Sequence, residues 1–217
     1  MEDLAKNVLT ITLAFDNPQI KPLVCRDIVE RFISSHSVVY FDFDLQFSSL
    51  LQNLDQVSYE RIAHTGKLLV LQPTNSVPDL LEILATFKPP SGGVIVLDSL
   101  NTLQDLLTEG SSEKGSKVAN QKTALIITLL QNYAQFLSKS LIIVNITKSR
   151  PKERIEKNSS DWEKKLVGGR MIKFKSDLII FTRRSEQNPR EIEIIVQESN
   201  KDILKDSARL ENYLIWL

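Results

Sequence analysis

Asp98 closes a short run, Gly92-Gly93-Val94-Ile95-Val96-Leu97-Asp98, that reads as a buried parallel strand ending in a carboxylate. That is the form of a Walker B strand, in which an aspartate orders Mg²⁺ beside ATP. The other half of such a site is a GxxxxGK[ST] loop. Its glycines let backbone N–H groups turn onto the phosphates, while a lysine and a hydroxyl complete the cradle. The first glycine of this chain is Gly66, and the first apolar strand, Val8 to Phe15, runs into the first helix through Asp16-Asn17-Pro18-Gln19-Ile20-Lys21-Pro22. Two prolines in that loop carry no N–H at all. Lys21 is the one cofactor-side candidate, and Pro22 follows it where a metal-binding Ser or Thr would stand. The residues therefore supply an acidic strand end without a phosphate loop, and neither a cofactor nor a metal is expected.

The elements that must position Asp98 follow from short apolar runs alternating with helix-period segments, the pattern of a parallel sheet covered on both faces. The runs are Val8 to Phe15, Val38 to Phe43, Leu68 to Leu71, Val94 to Leu97 and Leu141 to Ile146. Helices are predicted over Leu23 to Ser34, Val77 to Phe87 and Asn120 to Leu137, giving right-handed crossovers. After Gly168-Gly169, the segments Met171 to Phe174, Leu178 to Thr182, Ile192 to Val196 and Tyr213 to Leu217 read as an antiparallel C-terminal extension. The expected fold class is α/β: a doubly wound, mainly parallel sheet with helices on both faces. Such sheets bind ligands beyond the carboxyl ends of their strands, which here carry Asp16, Asp42 with Asp44, Asp98 and Asn145. A simpler reading of each is a strand end capping the following helix, and Asp98 taken alone is read that way.

With 217 residues, the chain is read as one domain, 1–217. Lys plus Arg and Asp plus Glu number 27 each, so any electrostatic signal for a partner must be local. The lone Cys25 excludes an internal disulfide and fits a reducing, cytoplasmic setting. No apolar run approaches the roughly 18 residues of a membrane helix, so no membrane partner is expected. His36 and His64 lack nearby ligand partners and do not suggest zinc, and Cys25, inside the first helix, reads as a small core residue.

In this order and spacing the residues resemble the RecA/RadA recombinase superfamily, in particular archaeal RadA paralogues and KaiC-like relatives. Val38-Val39-Tyr40-Phe41-Asp42-Phe43-Asp44-Leu45-Gln46-Phe47 is similar to the family's V-x-Y-I-D-T-E-x-x-F strand, with Asp44 in place of the Glu that activates water. Gly93 to Leu100 resembles the Walker B strand, with Asp98 at the metal-ordering position. Leu141-Ile142-Ile143-Val144-Asn145 resembles the strand that ends in a γ-phosphate sensor, although Ile146 replaces the usual Gln. Gly168-Gly169 and Asp177-Leu178-Ile179-Ile180 are similar to the turn and strand after the second DNA-binding loop. The resemblance implies a RecA-like core whose phosphate loop is absent. Asp44, Asp98 and Asn145 are then vestigial, with no catalytic residue expected, and the chain is a pseudo-ATPase and not an enzyme.

Residues 148–175 hold ten cationic side chains against four acidic ones, a net charge of +6, leaving −6 for the rest of this neutral chain. The resemblance makes this stretch a loop that orders around single-stranded DNA, which is favoured here over RNA. Lys148, Arg150, Lys152, Arg154, Lys157, Lys164, Lys165, Arg170 and Lys173 would meet phosphates, and a base could stack on Trp162. Thr108 to Lys117, rich in Gly and Ser, corresponds to the family's first DNA loop. The expected function is a non-hydrolysing accessory protein that binds DNA, a recombinase or paralogue partner, or both, in recombination and DNA repair. One alternative is a RecA-like scaffold subunit of a ring or hetero-oligomer, as in Elongator, in contact with tRNA. Another is an ATPase with an unorthodox phosphate loop built on Lys21, Asp44 and Asp98. The residues leave open whether copies of the chain also form a homo-oligomer.

Overall fold

A computed structural model describes residues 10–63, 65–72, 82, 86, 93–108, 115–136, 139–151, 162–184 and 192–199. Strand β1 (Thr10–Phe15) is buried at all six positions, β4 (Gly93–Asp98) likewise, and β2 (Ser37–Asp42) at five of six. Such continuous apolar, β-branched runs suit strands covered on both faces. With β3 (Leu68–Leu71), β5 (Lys139–Ile146), β8 (Leu178–Arg184) and β9 (Ile192–Ser199) they form one sheet in the order β3-β2-β4-β5-β1-β8-β9. The first six are mutually parallel, and β9 pairs antiparallel with β8.

Helices α1 (Lys21–Ile33), α2 (Gln46–Gln52) and α3 (Gln56–Ala63) cover one face, where Ile28, Val29, Phe47 and Ile62 meet Leu13, Tyr40, Val96 and Val144. On the other face, α4 (Leu100–Thr108), α5 (Gly115–Phe136) and α6 (Gly169–Lys175) pack over Val39, Phe41, Leu97 and Ile143. Because strand side chains alternate, Val94 and Val96 share the α1 face with Val38 and Tyr40. Two residues further on, the paired ends Asp98 and Asp42 fall on that same face, directly under the start of α1.

Gly93 makes the β2–β4 contact close. Its φ is +126°, and a Cβ there would lie 1.8 Å from the Ser37 carbonyl oxygen, so only glycine fits.

Three elements differ from the sequence expectation. Met171 to Phe174 lies in helix α6, not in a strand. That helix carries the chain back across the sheet, so Leu178 to Thr182 runs parallel to β1, and only β9 extends the sheet antiparallel. The basic segment is not wholly a loop, because β6 (Lys148–Pro151) and β7 (Trp162–Lys165) pair into an antiparallel ribbon. Tyr213 to Leu217 lies outside the described residues, as does most of Val77 to Phe87.

Candidate functional site

The first turn of α1 puts Lys21 over the ends of β2 and β4. Pro22 pre-sets the helical φ there, in a turn where its missing N–H costs nothing. The Lys21 side chain is fully buried, and its Nζ donates to Asp98 Oδ1 and to Asp44 Oδ2, each at 2.7 Å. Tyr40, two residues before the end of β2, donates its hydroxyl to Asp98 Oδ2 at 2.5 Å. Its ring is fixed by stacking on Phe47, with centroids 4.0 Å apart. Asp42 Oδ2 accepts the N–H and the hydroxyl of Ser48 at 2.7 and 2.6 Å, whereas Asp42 Oδ1 is buried without a hydrogen bond. Asp44 Oδ1 accepts the Gln46 N–H at 3.2 Å, spanning Leu45 in its left-handed conformation at φ 60°.

A cation at a helix N-terminus opposes the helix dipole, at about 0.3–1 kcal/mol for an exposed group. Here the two carboxylates dominate. Burial favours loss of the Lys21 proton, but the charges of Asp98 and Asp44 outweigh it and hold the ammonium above the ordinary lysine range. Burial pushes Asp98 up to about 6, with Lys21 opposing that rise and Asp44 adding to it. The directions agree because one ammonium faces three carboxylates, so the cluster retains excess negative charge. Desolvation first, then Cys25 and Asp98, raise the Tyr40 hydroxyl well above its usual range, which keeps it a donor. Ligand atoms of Asp42, Asp44 and Asp98 lie within 4.8 Å of one another and could share a metal ion. The Lys21 ammonium already bridges two of the three.

The loop from β1 to α1 turns its donors inward. Asp16 N–H donates to the Thr182 carbonyl at 3.2 Å, Gln19 N–H to Asn17 Oδ1 at 2.8 Å and Ile20 N–H to the Asn17 carbonyl at 3.3 Å. Beside this loop an open cleft of about 690 Å³ separates Pro18, Gln19 and Pro22 from Asp44, Leu45 and Gln46. Among the described residues that line it, Asp44 is the only charged one.

Asn145 belongs to the opposite face, continuing the alternation of Leu141 and Ile143. It is fully buried. Its Nδ2 donates to the Val167 carbonyl at 2.8 Å and its Oδ1 accepts the Val167 N–H at 3.3 Å. Asn101 of α4 pairs in the same two-sided way with the backbone of the next residue, Ile146, at 2.8 and 2.7 Å. These two amides fix the base of the β6–β7 ribbon. Within it Lys148 stands opposite Lys165, Ser149 opposite Lys164, Arg150 opposite Glu163 and Pro151 opposite Trp162.

Of the residues singled out in the sequence, the structure thus brings together Lys21, Asp44 and Asp98 and leaves Asn145 apart. Asp98 is no helix cap. That place at α4 is taken by Ser99, whose Oγ accepts the Thr102 N–H at 3.4 Å. Lys148, Arg150, Trp162, Lys164 and Lys165 belong to the ribbon, while Arg170 and Lys173 are exposed on α6. Lys152, Arg154 and Lys157 lie outside the described residues, as does His64, and so does most of Thr108 to Lys117, whose last three residues begin α5. Sequence reasoning missed the parts played by Tyr40, Asp42 and Asn101. For Tyr40 and Asp42 the available signal was period-2 alternation, which sets both on the face of Asp98.

No family model matches this chain, and no curated protein sequence matches it. Among solved structures, the chain is similar to the ATPase domain of a RecA-like helicase, with a TM-score of 0.57 at 13% identity over 91% of this chain and 78% of that one. The fold is accordingly that of a RecA-like ATPase domain. Among the described residues, no helix is long and apolar enough to cross a membrane.

Proposed function

We propose that the chain is a RecA-like accessory protein that binds nucleic acid, single-stranded DNA in preference to RNA, and does not hydrolyse ATP. The observation that carries this reading is the Lys21 ammonium bonded to both Asp44 and Asp98. In a hydrolytic site those carboxylates would order a metal and activate water, and the lysine would face phosphate. Here each satisfies the other inside the protein. The inward-turned donors and prolines of the β1–α1 loop, and a cleft whose one charged lining residue is acidic, argue against an anionic nucleotide in the same place.

The nucleic-acid assignment rests on the basic ribbon, with Lys148 beside Lys165 and Lys164 next to them on one two-stranded element. Its pairing with phosphates supplies salt-sensitive affinity, and the segment 152–161 adds three more cations against three acidic residues. A recombinase or paralogue partner in recombination and DNA repair completes the reading, since a subunit of this fold without hydrolysis acts by lending a surface.

The test is fluorescence anisotropy with a labelled single-stranded oligonucleotide at low and moderate salt. Reversing Lys148, Lys164 and Lys165 to Glu should weaken binding, and the dependence of log affinity on log salt should drop by about 1 for each phosphate no longer neutralised. Absence of binding at low salt, or binding untouched by the reversal, would overturn the assignment. Tighter binding of tRNA than of DNA would favour the ring-scaffold alternative. ATP turnover abolished by Asp98→Ala would overturn the non-hydrolysing reading.

A further inference from the structure

Helix α5 carries apolar residues on two sides. Its inner side, with Ala119, Ile126, Ile127, Leu130 and Ala134, is packed into the core. Its outer stripe repeats the pattern with Val118 (44% exposed), Leu125 (53%) and Phe136 (87%), and with Leu129 half-buried between them. A helix apolar all round is normally covered all round, and α5 is covered by its own chain on one side only.

Helix α6 widens this surface. Lys175 Nζ donates to Thr128 Oγ1 at 2.8 Å, and Gln131 Nε2 donates to the Lys175 carbonyl at 2.8 Å, so the end of α6 is fastened to the flank of α5. Phe174, the residue before Lys175, is 88% exposed. The charge on both helices has one sign. Lys117, Lys122, Arg170, Lys173 and Lys175 are cationic, and neither helix contains an acidic residue. In the adjoining α4, Asp105 is directed to Lys148, with an N···O separation of 4.0 Å.

We propose that the outer face of α5 and α6 docks an acidic amphipathic helix of a partner protein. Val118 to Phe136 spans roughly 27 Å, the length of an 18-residue helix, and its apolar positions recur at heptad-like intervals that a second helix can match. Acidic residues flanking that helix's apolar seam would meet the five cations. Nucleic acid fits less well, because Val118 and Leu125 offer no ring for a base to stack on. A bilayer fits less well too, since exposed Gln121, Asn132 and Gln135 interrupt the stripe and would be costly to bury in hydrocarbon. The inference is independent of the ribbon, and its test leaves every ribbon residue in place.

The experiment titrates the full chain into a fluorescein-labelled synthetic peptide of 18 residues, with Leu at helical a and d positions and Glu at most others. A counterpart with Lys in place of Glu serves as control. The expected result is saturable binding of the Glu peptide alone, weakened about tenfold or more by Phe174→Ser or Leu125→Ser, with unchanged thermal unfolding. Lys117→Glu with Lys122→Glu should weaken the Glu peptide and admit the Lys peptide. Binding that is absent, equal for the two peptides, or untouched by these substitutions overturns the proposal. Phosphatidylserine vesicles or single-stranded DNA released by the same apolar substitutions, with no peptide bound, would also overturn it and assign the face to a membrane or to nucleic acid.

Discussion

The Lys21 ammonium lies 2.7 Å from the Asp98 carboxylate although 77 residues separate the two in the chain, and Asp44 accepts from the same nitrogen at the same distance. Charges taken this far from water are stable only as a set, because the desolvation of each is offset by the others. Lys21→Met keeps the length and apolar stem of the side chain and removes its charge. The substitution should cost about 3–5 kcal/mol, read as a lower urea midpoint at neutral pH. A lysine that served only a bound nucleotide would leave the midpoint unchanged, so a loss below about 1 kcal/mol would contradict the structural role.

The same cluster predicts a pH dependence. Burial, opposed by Lys21 and reinforced by Asp44, raises Asp98 from 3.8 to about 6. Between those values the folded chain holds a proton that the unfolded chain has released. The stability gained from Asp98 is thus complete below the lower value and is lost as pH rises through the upper one. Asp98→Asn cannot titrate, so the stability of the native sequence relative to that variant should fall from about pH 4 to about pH 6 and then level off. Lys21, held above its ordinary 10.5, adds no further change near neutrality. Urea titrations at several pH values measure the difference, and a rise across this interval would refute the assignment.

Two glycines make a contrasting pair. At Gly93 an alanine Cβ would meet the Ser37 carbonyl at 1.8 Å in a backbone at φ +126°, whereas at Gly66, φ +63°, nothing lies within 4 Å. Gly93→Ala must part β2 from β4 and should cost roughly 4 kcal/mol or more, while Gly66→Ala should cost only the left-handed penalty of about 1–2 kcal/mol. Soluble yield and unfolding midpoints of the two variants, compared side by side, test the difference.

The sheet was legible because parallel strands buried on both faces read as continuous apolar runs, and β1, β2, β4 and β5 all do. Helix α6 was not. Ile172 and Phe174 alternate with Lys173 and Lys175 as in a strand, and seven residues are too few to reveal a helical period. The structure separates the two, with Ile172 buried and Phe174 exposed, which a strand would not do. In the site, local pattern placed Asp44 and Asp98 at strand ends, but the meaning of Lys21 depended on the helix that delivers it to them. Nothing in the residues around Lys21 foretells two carboxylate partners. Asn145 failed for a related reason, since the end of a strand does not by itself declare which face the side chain takes.

That last residue supports a decisive measurement. Asn145 sits where a phosphate sensor would stand by resemblance, yet both ends of its amide are engaged by the backbone of Val167. Asn145→Ala would strand a buried N–H and a buried carbonyl just before Gly168, whose left-handed turn at φ +81° starts α6. The expected cost is about 2–4 kcal/mol, counting both orphaned groups. Because the pair anchors the segment between β7 and α6, amide hydrogen exchange should quicken at Leu166 to Met171 more than in β1 or β4. Asn145→Asp keeps the acceptor for the Val167 N–H but sets an anion against the carbonyl, so it should restore little of the loss. A side chain kept only to sense a ligand would show neither the destabilisation nor the local exchange, and that result would return Asn145 to the binding site.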